Sequence, residues 1–244
     1  MEKCIEIVAT SDVHAPLYLD KFADEIKKIK FLDKKLFLFA GDMIERGKIE
    51  YYTDIISLVK KYYSGKIIGI LGNDEYDTLL DTLVKEYEDI VWLYDDKIIL
   101  EINDLSIGII GTKGSLDKPT WWQSKNIKNI RKIYANRIKK IATLLKELKH
   151  KCDIMILLSH YAVTYKNLVG EPKSIWPMLG SNRFEELIKK YRPDVVIHGH
   201  AHRSTRTYTE IYGIKIYNVA FPANEKIVII KLKKEKKGIL QYFE

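Results

Sequence analysis

The stretch IIGILGNDEYDTLL, residues 67–80, reads as a buried strand that stops at Gly72 and passes through Asn73, Asp74 and Glu75 into a helix. An apolar run without alternation suits a strand covered on both faces, which is the environment of a parallel sheet. Strands of that kind are joined by crossover helices. The polar residues after Gly72 have two readings. Asn and Asp favour helix N-caps, and acids in a first turn suit the helix dipole. The C-terminal end of a parallel strand is also where α/β proteins hold ligands.

The same unit repeats on both sides of this stretch. Upstream, strands are expected at 4–9 and 35–40 and helices at 19–30 and 49–63; the quoted strand spans 66–71 and its helix 77–87. Downstream come a short strand near Val91 and a hairpin of 97–102 and 105–110 turning at Asn103-Asp104. A basic helix over 127–148 follows, with Ile130, Tyr134, Ile138, Ile141 and Leu145 on one face and Lys and Arg on the other. A strand at 154–158, a helix at 182–191 and a strand at 194–198 complete the second half. The rest is strand-rich: 205–212, 214–218, 226–232 and 238–243, with the lysines of 231–237 at the tip of a terminal hairpin. The pattern predicts two strand–helix halves packed face to face, a single α/β domain over 1–244.

Composition bounds the possibilities. The chain has 244 residues, 46% hydrophobic and 30% charged, enough to bury a full core. No apolar run approaches the length of a bilayer span, and Met1-Glu2-Lys3 leads into a strand rather than a signal peptide. Two cysteines, Cys4 and Cys152, make no disulfide framework, so a reduced, cytoplasmic setting is expected. The net charge of +8 draws phosphate-bearing partners without choosing among them. Two long stretches, 111–125 and 161–181, follow strand ends and carry Trp121, Trp122 and Trp176. Loops of that length are often functional, though packing of the two on each other accounts for the tryptophans equally well.

The chemistry lies just past the strands. Asp12 and His14 follow the first, Asp42 the second, Asn73 the third, His160 the strand at 154–158, and His200 and His202 the strand at 194–198. Parallel strands bring these ends to one edge. Imidazole and carboxylate without thiolate suit Mn, Fe, Zn or Co. Any one of these motifs is explained by a turn, but HGHAH (198–202) is harder to dismiss and the whole constellation points to metal. The number of donors suits two ions, with Asp42 able to bridge. Two metals about 3.5–4 Å apart activate a water for in-line attack on phosphorus.

The set DVH (12–14), GDMIER (41–46), GNDE (72–75), SH (159–160) and GHAH (199–202) resembles the calcineurin-like metallophosphoesterase superfamily. The likeness runs from Asp12 to His202, and GSNRFEELIKKYRPDVVIHGHAH (180–202) is similar to its soluble, Icc-related branch. The resemblance implies a four-layer α/β/β/α sandwich of the metallo-dependent phosphatase type with a dinuclear centre. It places Asp12, His14 and His202 on one metal, Asn73, His160 and His200 on the other, and Asp42 between them. Manganese is the first expectation for both ions, with Fe, Zn, Co or Ni as other occupants.

Other residues take roles within that picture. The Asn73 amide can donate to a phosphoryl oxygen. Arg46 can clamp phosphate as a planar fork, or stand in a surface ion pair. His198 is expected to point into the strand layer. Asp74 is the departure: many superfamily members carry His there to assist the leaving group. Two nearby cations would keep an Asp ionised, so Asp74 is not expected to be an efficient general acid.

The expected activity is metal-dependent phosphodiester hydrolysis of a small phosphoester, nucleotides included. The alternatives are a nuclease and a non-catalytic scaffold of the same fold. Nucleic acid is the less favoured partner, because related repair nucleases keep the His and add a capping domain. No membrane partner is expected, and the sequence does not give the oligomeric state.

Overall fold

The computed structural model describes residues 4–31 and 34–234; the expected strand 238–243 and the hairpin tip beyond Lys234 lie outside the described residues. The first half runs β1 (Cys4–Thr10), α1 (Leu19–Ile26), β2 (Lys34–Phe39), α2 (Tyr51–Lys60), β3 (Lys66–Gly69), a 3-10 turn (Asp77–Leu79), α3 (Leu80–Glu86) and β4 (Ile90–Trp92). The second continues β5 (Asp96–Ile102), β6 (Leu105–Thr112), α4 (Trp121–Asn126), α5 (Ile130–Leu148), β7 (Ile154–Ser159), α6 (Asn182–Tyr191) and β8 (Val195–His198). It ends with β9 (Tyr208–Ile211), β10 (Ile214–Asn218), α7 (Phe221–Asn224) and β11 (Val228–Lys233).

Two sheets form, in the orders β11-β1-β2-β3-β4 and β5-β6-β7-β8-β10-β9. β1 to β4 are parallel, as are β6, β7, β8 and β10, while β11, β5 and β9 join antiparallel. Strand period 2 sorts the apolar runs into layers. Ile7, Ala9, Leu36 and Leu38 face Ile107, Ile109, Ile156 and Leu158 between the sheets. The alternate residues Val8, Phe37 and Phe39 face outward onto Phe22 and Ile26 of α1 and Tyr52, Ile55 and Val59 of α2. On the far side Met155, Leu157 and Val196 pack on Ile141 and Leu145 of α5 and Phe184 and Ile188 of α6. The arrangement is helices, sheet, sheet, helices: the metallo-dependent phosphatase architecture. Each of these fully buried aliphatic side chains contributes roughly 1.5–3 kcal/mol relative to exposure.

Local departures from expectation have local causes. Asn73 and Asp74 cap no helix: the 3-10 turn begins after Tyr76, and no side chain caps it. The stretch 111–125 is partly helical, because Thr120 and Gln123 form a reciprocal capping box that starts α4. Asn129, at φ 59°, then breaks the chain before α5, which therefore starts at Ile130 rather than 127. Not every cation of α5 faces solvent. Arg137 is buried and pairs with Asp95 at 2.8 Å. Among the described residues no helix is long and apolar enough to cross a membrane.

Candidate metal centre

The C-terminal edges of the two sheets meet, and the loops leaving β1, β2, β3, β7 and β8 converge there. Asp12, His14, Asp42 and His200 all adopt left-handed backbone, with φ of 57°, 43°, 51° and 68°. That conformation costs a non-glycine residue on the order of 1 kcal/mol and persists where surrounding bonds impose it. Here they do. The Asp12 and His14 N–H groups donate to Gly41 and Asp42 carbonyls at 3.0 Å each, and Gly199 N–H donates to the His160 carbonyl at 3.0 Å. The glycines of these motifs permit close approach. A Cβ on Gly72 would overlap the Asp42 carboxylate, and one on Gly199 would overlap Ser11 and Asp12.

The candidate side chains gather at this edge, and the Arg46 side chain does not join them. Asp12 Oδ1 is 2.8 Å from His202 Nε2, and its Oδ2 accepts from the His200 N–H at 2.9 Å. His14 Nε2 lies 3.4 Å from His202 Nε2. His160 presents Nε2 to Asn73 Oδ1 at 3.1 Å and to Asp42 Oδ2 at 3.3 Å, its ring held by an Nδ1 contact to the Ala40 carbonyl at 2.9 Å. Ligand atoms of Asp12, Asp42, His160 and His200 all fall within 4.8 Å of one another, and so do those of Asp12, His14 and His202. A third grouping, His14, Asp42 and Asp74, also meets that distance, so Asp12, Asp42 and His14 each take part in two sets. Arg46 instead extends outward, 77% exposed, with Nε 3.8 Å from Glu45; only its backbone N–H reaches the cluster, at Asp74 Oδ2.

The donor set fits divalent cations. Asp42 Oδ2 is buried and accepts no hydrogen bond, its His160 neighbour at 3.3 Å making only an ion-pair contact, and a cation would satisfy it. Burial opposes charge on His14, yet Asp74, Asp42 and Asp12 hold its pKa up to about 9. Burial likewise opposes charge on His160, and Asp42 and Asp12 hold it at about 9. Burial pushes His200 down to about 3. Asp74 is raised by burial, but its contacts to His14, Arg46 and Asn73 outweigh that and leave it below the usual carboxylate value. It accepts from Asn73 Nδ2 at 3.0 Å and lies 3.2 Å from His14 Nδ1. Its own N–H donates to Asp42 Oδ1 at 2.7 Å. His198 stays apart in the strand layer, fully buried.

Sequence reasoning missed the residues that support this cluster. Glu75, fully buried, accepts N–H bonds from Asp42 (2.7 Å), Met43 (2.8 Å) and Gly72 (2.8 Å) and the Tyr52 hydroxyl (2.8 Å). Burial and the neighbouring Asp42 raise its pKa, and these donors pull it back. Lys113, after β6, donates to the Glu75 carbonyl at 3.2 Å and pairs with Asp77. Beside it, Arg137 ties the 111–125 stretch down through Asp95 and the Gly114 carbonyl. Asp117 then staples the two long loops, accepting from Ser181 Oγ (2.7 Å), Tyr165 Oη (2.7 Å) and Asn182 N–H (2.9 Å). Trp176 packs within its own loop, against Tyr165 and Leu179, and on Ala201, whereas Trp121 and Trp122 stay largely in solvent.

The family described as calcineurin-like phosphoesterase matches residues 5–204. Among solved structures, phosphopantetheinyl hydrolase from Mycobacterium tuberculosis aligns with a TM-score of 0.62 at 13% identity, over 92% of each chain. Plasmodium GAP50, described as the anchor in the inner membrane complex, gives 0.64 at 13% identity over 97% of this chain and 87% of its own. Thermus thermophilus TT1561 gives 0.57 at 13% identity, over 93% and 99%. No curated protein matches the sequence. At these identities the structural likeness speaks for the fold alone.

Proposed function

Since this chain belongs to the calcineurin-like phosphoesterase family, we propose that it is a metal-dependent phosphoester hydrolase acting through a dinuclear centre, with phosphodiesters preferred. The observation that carries the proposal is the pairing of donor sets through shared carboxylates. Asp12 and Asp42 each belong to two groups of ligand atoms, and Asp42 Oδ2 is buried without a hydrogen bond. Asp12, His14 and His202 would hold one ion and Asn73, His160 and His200 the other, with Asp42 between. Manganese is the first choice for both. When bound, such a pair supplies Lewis-acid charge and an acidified water for in-line attack at phosphorus.

The chain's own groups do the rest. Asn73 uses its carbonyl oxygen toward the centre, 3.1 Å from His160 Nε2, and leaves its NH2 free to turn from Asp74 to a phosphoryl oxygen. Asp74, held ionised, orients His14 through the 3.2 Å contact and offers no proton to a leaving oxygen. Glu75 keeps the β2 and β3 loops in register, so that Asp42 meets both halves of the cluster. Arg46 lies on the loop after β2, where rotation of its exposed side chain is unobstructed by packing; a phosphate clamp there is part of the proposal.

The test is hydrolysis of bis-p-nitrophenyl phosphate and p-nitrophenyl phosphate by purified protein with added Mn2+. Turnover of the diester above the monoester is the expected result. Hydrolysis of neither would favour a non-catalytic scaffold, since a fold shared with a protein described as an anchor does not by itself carry an activity.

A further inference from the structure

The capped helix α4 puts two adjacent indoles into solvent: Trp121 is 74% exposed and Trp122 56%. Large aromatics in that state cost hydrophobic free energy unless something covers them. The third residue of the helix, Gln123, points the other way and is buried, donating to the Tyr161 hydroxyl at 3.2 Å. The Tyr161 ring in turn lies 4.8 Å from the His200 ring and 5.3 Å from the His160 ring, centroid to centroid. One tyrosine side chain therefore separates α4 from the imidazoles of the candidate centre.

Along the chain, the charge that follows the indoles is of one sign. No acidic residue occurs between Asp117 and Glu147. Lys125 on α4, Lys128 in the link between the helices, and Arg131 and Lys132 at the start of α5 are all exposed, and Lys125 Nζ sits 5.0 Å from the Trp121 ring centroid. A merely solvated helix face explains the lysines but not the two tryptophans among them. A lipid surface would call for an apolar face set opposite a basic one. Here two consecutive indoles are followed within a few residues by four exposed cations, the combination that stacks bases and tracks a phosphate backbone.

We propose that α4 and the first turns of α5 form a docking surface for single-stranded nucleic acid, Trp121 and Trp122 stacking on bases and Lys125, Lys128, Arg131 and Lys132 contacting phosphates. The strand leads to the phosphoesterase centre, and for that purpose the inference rests on the reading above. It also shifts the weight that the sequence alone places against nucleic acid.

The experiment is fluorescence anisotropy with a labelled oligothymidylate of about twenty nucleotides, run on the full chain at several salt concentrations alongside bis-p-nitrophenyl phosphate hydrolysis. Trp121→Ala/Trp122→Ala should weaken binding at least about tenfold, given the loss expected per stacked base, and leave the salt dependence unchanged. Lys125→Ala/Lys128→Ala should flatten the slope of log K against log salt by about 1.4, at roughly 0.7 per phosphate contact. Diester hydrolysis should be unchanged in both. Binding undiminished by the tryptophan substitutions overturns the surface. So does a wild type that ignores the oligonucleotide, whether or not it then binds phosphatidylserine-containing vesicles. A wild type that binds through the tryptophans but hydrolyses nothing upholds the surface and overturns the phosphoesterase reading instead.

Discussion

Glu75 Oε2 lies 2.7 Å from the backbone nitrogen of Asp42, so a fully buried carboxylate grips the residue whose own carboxylate reaches both halves of the candidate centre. The same oxygen takes the Gly72 N–H at 2.8 Å, and the other takes Met43 and Tyr52. Two strand ends are thereby fixed to one side chain.

Glu75→Gln tests that grip. An amide presents NH2 hydrogens to at least one pair of these donors, leaving buried N–H groups without acceptors. The expected cost is about 2–4 kcal/mol, or a fall in Tm of roughly 5–15 °C for a chain of this size. Thermal denaturation followed by circular dichroism in metal-free buffer reads it, and an unchanged Tm would show the loops hold without Glu75.

Asp42→Asn removes the shared carboxylate. Diester hydrolysis should disappear, and stabilisation by Mn2+ should shrink with it. For the wild type, Mn2+ at a hundred times its Kd should add about 2.7 kcal/mol, a gain of roughly 5–10 °C in Tm, which EDTA should reverse. A variant with full activity and the full metal-dependent gain would rule out Asp42 as the bridge.

Asp74→Ala should matter little when the leaving group is a good one such as p-nitrophenolate. Positioned acids and bases contribute about 10²–10⁴ in rate, so a loss beyond roughly a thousandfold in kcat would assign Asp74 proton transfer after all. The variant also frees His14 Nδ1 and the Arg46 N–H, so weaker metal loading with a modest change in kcat is the pattern expected of an orienting group.

Arg137→Met isolates the buried carboxylate of Asp95, which keeps only the Thr112 hydroxyl at 2.5 Å among these partners. Breaking such a pair costs about 3–5 kcal/mol, while removing both charges is far milder. Urea titration of Arg137→Met, Asp95→Asn and the double variant should therefore be strongly non-additive. Additive losses would mean the two side chains act independently despite their 2.8 Å contact.

The strands and their order of polar ends were readable from sequence because double-sided burial writes itself as unbroken apolar runs, as in Leu36–Phe39 and Ile154–Leu158. The ligand candidates share that legibility, because each lies within four residues past the end of such a run. Glu75 does not, because an acid before a helix looks like dipole compensation, and only the folded loops show what donates to it. Arg137 left a fainter trace. It stands three residues after Tyr134 and four before Ile141, on the apolar stripe rather than opposite it. Arg46, four places from Asp42, reaches the cluster only through its backbone N–H, at Asp74 Oδ2, a relationship that spacing alone does not display.

The first sheet has a consequence for biosynthesis. β1 is clamped between β2 and β11, with Cys4 to Ala9 registered against Lys233 to Val228, so the earliest strand of the chain waits for one of the latest. Contacts so distant in sequence form slowly. Asp12 leaves that strand and meets His202 at 2.8 Å, joining residues that reach the ribosome's exit far apart in time. A nascent chain that has not yet released His202 therefore assembles only part of this donor set.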